Sequence, residues 1–246
     1  EEQNKKQNYA NKKQKALNFT PGTDHLYSNS NYILLTEIVK VVSGQNFADY
    51  AQDLFNKLGL NELAFLTNYM DIMPNKARPY SKWKSWKEYP SLYGIHGDGA
   101  LFSNLKAQLQ WETLLQKVPK GELGELLTQS QALVPGTDNQ TYGFGVEHVQ
   151  LDQQLYRYHE GNTGAYHASF IRFPKTDLAI VALTNNGNIS TYNLSRSIAG
   201  LLLDDPDLST LKFPVRPVAI GPNPTRERIA GAYELNDGTI IEIAID

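Results

Sequence analysis

Serine followed three residues later by lysine, a spacing that on a helix sets hydroxyl and amine on one face, occurs at Ser81/Lys84, Ser103/Lys106 and Ser209/Lys212. Such a pair could perform acyl transfer. That chemistry needs a nucleophile, a proton carrier beside it, and donors aimed at the developing oxyanion. With 13 serines and 16 lysines in 246 residues, chance alone gives roughly one such pair, so context must decide. Ser81 falls in an irregular aromatic stretch and Ser209 in a proline-rich one; neither opens an apolar helix. Ser103 does open a helix, where the ordinary role of N-cap accounts for it. Upstream of Tyr27 the chain has no serine. With no cysteine present, a thiolate nucleophile, disulfides and thiolate metal sites within the chain are excluded. His25, His96, His148 and His167 lack paired metal-ligand spacing and read as ordinary histidines, with His167 the best placed to line a pocket.

The elements that would position these groups follow from periodicity and punctuation. Residues 1–16 are polar and helix-compatible, and Pro21-Gly22 forces a turn that delivers the chain to Tyr27 on a loop. From Asn31, the residues Leu34, Leu35, Ile38 and Val42 share a helical face that Gly44 closes. A second helix is expected over 47–58, with Asn46 as N-cap and Gly59 as its end. Residues 66–98 carry Trp83, Trp86, Tyr80, Tyr89 and Tyr93 without clear period and read as a long ordered loop, either lining a pocket or covering core. Further helices are expected after Ser103 or Asn104 and over 122–129.

Beyond residue 140 the period changes to that of strands. Residues 142–149, 154–159, 165–173 and 178–184 are rich in aromatic and β-branched side chains separated by turn formers, which predicts an antiparallel meander. A helix is expected over 192–203. A stretch with Pro206, Pro214, Pro217, Pro222 and Pro224 then reads as a linker. Two short strands around Asn236-Asp237-Gly238 suggest the beginning of a second β domain, since an isolated hairpin is marginal in water.

Composition sets outer bounds. At 41% hydrophobic and 20% charged, with a net charge of -3, the chain matches globular usage and gives no sign of a nucleic-acid partner. No apolar run has the length of a membrane span. The polar start, Glu1-Glu2-Gln3-Asn4-Lys5-Lys6, lacks the apolar core of a signal peptide, placing any such signal upstream of Glu1.

The order Phe19-Thr-Pro-Gly-Thr-Asp-His-Leu-Tyr27-Ser-Asn29, a helix ending at Ser43-Gly44, Leu58-Gly59-Leu60, Gly97-Asp-Gly-Ala-Leu-Phe-Ser103, Tyr142-Gly-Phe-Gly, His159-Glu-Gly-Asn-Thr-Gly164, Phe173-Pro174 and Leu183-Thr-Asn185 resembles the β-lactamase and penicillin-binding-protein superfamily, including class C β-lactamases, D,D-peptidases and related esterases. The likeness runs over residues 17–203. It implies an α+β fold: an antiparallel sheet flanked by helices, with a mostly helical subdomain, here incomplete. Residues 1–203 would be a partial serine-hydrolase domain, 204–226 a linker and 227–246 the start of a truncated β domain.

The resemblance also implies roles. Tyr27 would pass protons, aided by neighbouring cations that ease ionisation of its phenol. Asn29 would hold the lysine and the substrate amide. His159 stands where relatives carry lysine or histidine on the edge strand beside the pocket, with Gly161 admitting substrate and the Asn162 backbone N–H as one oxyanion donor. The family's Ser-x-x-Lys precedes Tyr-x-Asn and is missing here, which argues against Ser103 and leaves the chain alone inactive. The nucleophile then comes from a missing N-terminal segment or a second chain, or the protein is a non-catalytic cell-envelope binder of peptide or ligand. The implied substrate is a β-lactam, a peptidoglycan-like D-Ala-D-Ala peptide, or a small ester or amide. No metal, cofactor or nucleic acid is implied, and the location would be the periplasm or cell envelope.

Overall fold

The computed structural model describes residues 16–68, 70–90, 94–134, 141–151, 154–204, 231–234 and 240–243. The chain divides into two units, residues 1–209 and 210–246. Helix α1 (Asn29–Ser43) ends where Gly44 turns left-handed at φ 73° and donates its N–H to the Lys40 carbonyl, a closure that glycine makes without the Cβ penalty. Helix α2 (Phe47–Lys57) starts where the Asn46 side chain accepts the Asp49 N–H. Strand β1 (Ala64–Phe65) pairs with β4 (Leu101–Phe102), and the segment between them holds a hairpin of β2 (Tyr80–Lys82) and β3 (Trp86–Glu88). The expected long loop is therefore partly strand. Alternation there is hidden because Trp86, Lys87 and Glu88 are all exposed. Tyr93 lies outside the described residues.

Helix α3 (Leu105–Gln116) is capped by Asn104, whose side chain accepts the Ala107 N–H, and not by Ser103 as its position suggested, and α4 (Glu122–Ser130) follows. The meander is a four-stranded antiparallel sheet in the order β5 (Glu147–Leu151), β6 (Gln154–Thr163), β7 (Tyr166–Phe173), β8 (Leu178–Thr184). Helix α5 (Thr191–Leu203) packs on β7 and β8. In the second unit, β9 (Gly231–Glu234) pairs with β10 (Ile240–Ile243). The proline-rich stretch lies outside the described residues.

Because side chains alternate across a strand, the sheet has two different faces. One presents Tyr156, Ile171 and Phe173 to Tyr192 and Ala199 of α5, all at most 4% exposed; Ser169 and Ser195 hydrogen-bond in the same layer. The other face carries Arg157, His159, Phe170 and Arg172 in register. There Arg172 donates through Nε and Nη2 to Glu112 Oε2 of α3 at 2.7 and 2.6 Å, and through Nη1 to Gln131. Glu112 and Arg172 are 2% and 3% exposed, so this ion pair ties the sheet to the helices from within. A smaller cluster of Leu60, Leu63 and Ala107, joined by Phe55, Leu58, Trp111 and Leu114, holds α2 and α3 together.

Candidate active site

Tyr27 ends an extended approach, Ser28 is the N-cap of α1 and Asn29 its first residue. The sequence places the whole motif on a loop; in the structure it straddles a loop and a helix start, so the fixed axis of α1 sets the direction of Asn29. Gly97, at φ +104°, lies so close to this helix that a Cβ would stand 2.5 Å from the Tyr32 carbonyl oxygen and from Thr36 Cγ2. The Gly97-Asp98-Gly99 turn is thereby pressed against the first turns of α1.

The structure brings Tyr27 and His159 together. Their ring centroids are 6.2 Å apart, although 132 residues separate them in sequence. His159 belongs to β6, which is not an edge strand along its length: β5 pairs with it as far as Tyr158. Beyond that point β6 continues to Thr163 bonded to β7 alone among the described residues. Residues 159–163 thus offer an open edge, and a Cβ placed on Gly161 would meet nothing within 4 Å. Glycine is not demanded there by packing; its effect is to keep the space over the strand clear. Gly161 and Asn162 are both exposed, leaving the backbone N–H of Asn162 accessible from that side.

Burial pushes the His159 imidazole below its ordinary range, with the Glu160 backbone and carboxylate opposing, so it is neutral at neutral pH. The Tyr27 phenol is raised, first by burial and then by Tyr32, Asp98 and Glu147. The cations expected to ease its ionisation are not among these causes, which besides burial are a phenol and two acids. Asp98 and Glu147 are themselves raised by burial, with His96 and His25 respectively pulling the other way.

Three neighbours of Tyr27 escaped the sequence reading. Tyr142 meets Tyr27 edge-on at 5.9 Å. His25, read as ordinary, stacks on the Tyr142 ring at 4.9 Å. Tyr32 hydrogen-bonds the Tyr142 phenol. The available signal was spacing: His25 and Tyr27 are two positions apart, and both rings meet Tyr142. His167, expected to line the pocket, shares the parity of Ser169 and Ile171 and stands on the α5 side of the sheet, away from His159.

None of the described Ser-x-x-Lys pairs is assembled. Lys106 pairs with Glu62 at 3.3 Å while Ser103 Oγ accepts from Gln108 Nε2; Ser81 lies on β2, its hydroxyl directed to Asn188. Ser209 and Lys212 lie outside the described residues. The β2–β3 hairpin sits at the site's end of the sheet, because the Ala165 N–H donates to Tyr89 and Tyr80 exchanges backbone hydrogen bonds with Asn185 and Gly187. Trp83, 81% exposed, stands at its tip rather than over core.

A family model described as Beta-lactamase matches residues 2–203. The chain belongs to this family. Similar proteins include a D-aminopeptidase of Gluconobacter oxydans, 24% identical over 193 residues that make up 76% of this chain and 36% of that protein. A D-aminopeptidase of Cereibacter sphaeroides is 25% identical over 177 residues, 70% of this chain and 34% of its own length. This Beta-lactamase family chain therefore spans about a third of the length of those relatives. Among solved structures, the octameric penicillin-binding protein homologue from Pyrococcus abyssi superposes with a TM-score of 0.66 at 21% identity, covering 93% of this chain and 52% of that one. A D-amino acid amidase from Ochrobactrum anthropi gives 0.52 at 16% identity, covering 66% and 52%. The fold is that of the β-lactamase and penicillin-binding-protein group, and at the level of the superfamily these relatives are hydrolases.

Two imidazoles, His148 buried and His159 half-buried, set a pH dependence of stability. His148, 8% exposed, is lowered by burial and then by Arg157, and His159 is lowered by burial. With folded values below the unfolded imidazole value of about 6.5, the unfolded chain binds more protons, so stability is lost as pH falls through that value. Urea midpoints should drop between pH 8 and pH 6, and the drop should shrink in a His148→Asn/His159→Gln variant; an equal drop in both proteins would contradict the assignment.

Proposed function

We propose that this chain forms the proton-transfer and substrate-edge walls of a serine-hydrolase site acting through an acyl-enzyme on D-amino-acid amides or peptides. The observation that carries the reading is the approach of Tyr27 to His159 at the open end of β6. A serine between them would attack the substrate carbonyl, forming the Oγ–C bond. Tyr27, as the phenolate, would take the serine's proton during this attack and pass it to the departing amine as the amide C–N bond breaks. Water would then cleave the ester, with Tyr27 taking a proton from the water and giving it back to the serine. Asn162 N–H would donate to the oxyanion.

The serine and its lysine are proposed to come from polypeptide outside residues 1–246. Support comes from α1, whose single buried residue is Ile33. Its Leu34, Leu35, Ile38, Val41 and Val42 are 40–83% exposed. Full burial of one such side chain contributes roughly 1.5–3 kcal/mol, so this face has the character of a seat for a further helix. The lysine would also supply the cation that Tyr27 lacks among the described residues. The choice of D-amino-acid substrates over β-lactams or D-Ala-D-Ala peptides follows the similarity to a D-aminopeptidase and a D-amino acid amidase.

A panel of D- and L-alanine p-nitroanilides, nitrocefin and a D-Ala-D-Ala tripeptide, assayed on the complete protein, tests this reading. The expected result is kcat/KM at least about tenfold higher for the D-anilide than for its L enantiomer. Faster turnover of nitrocefin would replace the amidase reading with a lactamase one. Tight binding without turnover would favour a non-catalytic binder.

A further inference from the structure

Tyr142 is 7% exposed. It precedes β5 in a tight bend where Tyr142 bridges to Glu147 and Gly143 to Leu133. Its ring collects three contacts from one short segment: His25 stacked at 4.9 Å, Tyr27 edge-on at 5.9 Å and 87°, and the phenol of Tyr32 by hydrogen bond. These residues bracket Tyr27, one two positions before it and the other five after it, in the first turn of α1. The bend is shaped to admit the contact. Gly145, at φ +81°, lies where a Cβ would be 3.0 Å from the Tyr32 hydroxyl, and a Cβ on Gly143 would strike the Ala132 carbonyl oxygen at 2.2 Å. Tyr27 itself is 50% exposed, so a half-free side chain is being steadied by a buried neighbour rather than by its own burial.

We infer that Tyr142 is a positioning residue for Tyr27, with His25 as the clamp that keeps the two rings in contact. The inference rests on the proposed role of Tyr27 in proton transfer. An edge-to-face pair has a preferred orientation; it therefore fixes the direction of the Tyr27 ring, and with it the place of the hydroxyl relative to the edge of β6. Proton transfer is steep in that placement, since a displacement of about 1 Å can cost on the order of a hundredfold in rate.

The test places 3-fluorotyrosine at position 27 of the complete protein and follows its fluorine resonance in His25→Ala, Tyr142→Phe and Tyr142→Leu, alongside kcat and KM of the same variants. His25 is exposed, so its variant spares the core. Tyr142→Phe keeps the ring and should leave the resonance near its original position. His25→Ala and Tyr142→Leu should move it in the same direction, toward that of free fluorotyrosine, and should lower kcat by roughly ten- to a hundredfold with KM within about threefold. A resonance unmoved in both would make Tyr142 an ordinary core residue and overturn the inference, whatever the melting temperature does. If Tyr27→Phe leaves activity intact, the proposed function fails; the fluorine arm still reads whether Tyr142 positions the ring.

Discussion

Tyr27→Phe should lower kcat/KM of the complete protein by about 10²–10⁴-fold, the usual worth of a positioned proton carrier. The substitution keeps the ring that meets Tyr142 at 5.9 Å and His159 at 6.2 Å, so placement of the neighbours is preserved and the hydroxyl alone is removed. The loss should fall on kcat, because an interaction made only in the transition state lowers kcat and kcat/KM together. At about 1.36 kcal/mol per factor of ten, the expected loss is roughly 2.7–5.5 kcal/mol of transition-state stabilisation. The effect should also be visible as a changed alkaline limb in the pH profile, since the described surroundings hold the phenol above its ordinary range and a cation from elsewhere would be needed to bring it down. An unchanged kcat/KM would refute the role.

The second large effect concerns folding. Glu112→Leu leaves the Arg172 guanidinium, 3% exposed, without its counter-charge, held by the Gln131 side chain and by the Phe170 ring 5.3 Å away. Removing one member of a buried pair costs roughly 3–5 kcal/mol because the other charge is stranded. Arg157 makes matters worse: it is paired with Arg172 across β6 and β7, and the two lie close enough that Arg172 lowers its pKa, after burial. Urea unfolding of Glu112→Leu should show this loss, whereas the double variant Glu112→Leu/Arg172→Leu should recover most of it, as replacing a whole buried pair by apolar side chains is often neutral. Equal losses in the single and double variants would show that helix α3, rather than the charge pair, accounts for the stability.

The elements with local chemical punctuation were legible in the sequence. Asn46 and Asn104 cap α2 and α3 through their side chains, and Gly44 closes α1, each as its residue type predicts. The meander was legible because β-branched and aromatic runs alternate with turn formers, but its first strand, expected from 142, begins at Glu147, and its second, expected to end at 159, runs through Asn162 and Thr163 to a two-residue link of Gly164 and Ala165. Tyr27 and His159 were reached through resemblance rather than local pattern, since nothing in their own neighbourhoods says they meet.

What stayed hidden depends on distant partners. Arg172 sits in a strand that reads as ordinary, and its partner Glu112 is 60 residues away on a helix. The periodicity of Leu34, Leu35, Ile38 and Val42 correctly predicts a helix, but a periodic face says only that something should cover it; in the described residues that face is exposed. The His25–Tyr142 stack joins residues 117 apart through a bend whose two glycines could have hinted at a close approach. The β2–β3 hairpin was missed because its strands are three residues each and offer too few positions for a period to register.

The most direct test of the account is to map the residue acylated by a fluorophosphonate in the complete protein and, in parallel, in residues 1–246 alone. One modified serine is expected, located outside these 246 residues and followed three positions later by lysine, with no stoichiometric label on the isolated chain. Stoichiometric labelling of the isolated chain at Ser103 or Ser81 would contradict it, because the nucleophile would then lie on α3's approach or the β2–β3 hairpin and not between Tyr27 and His159.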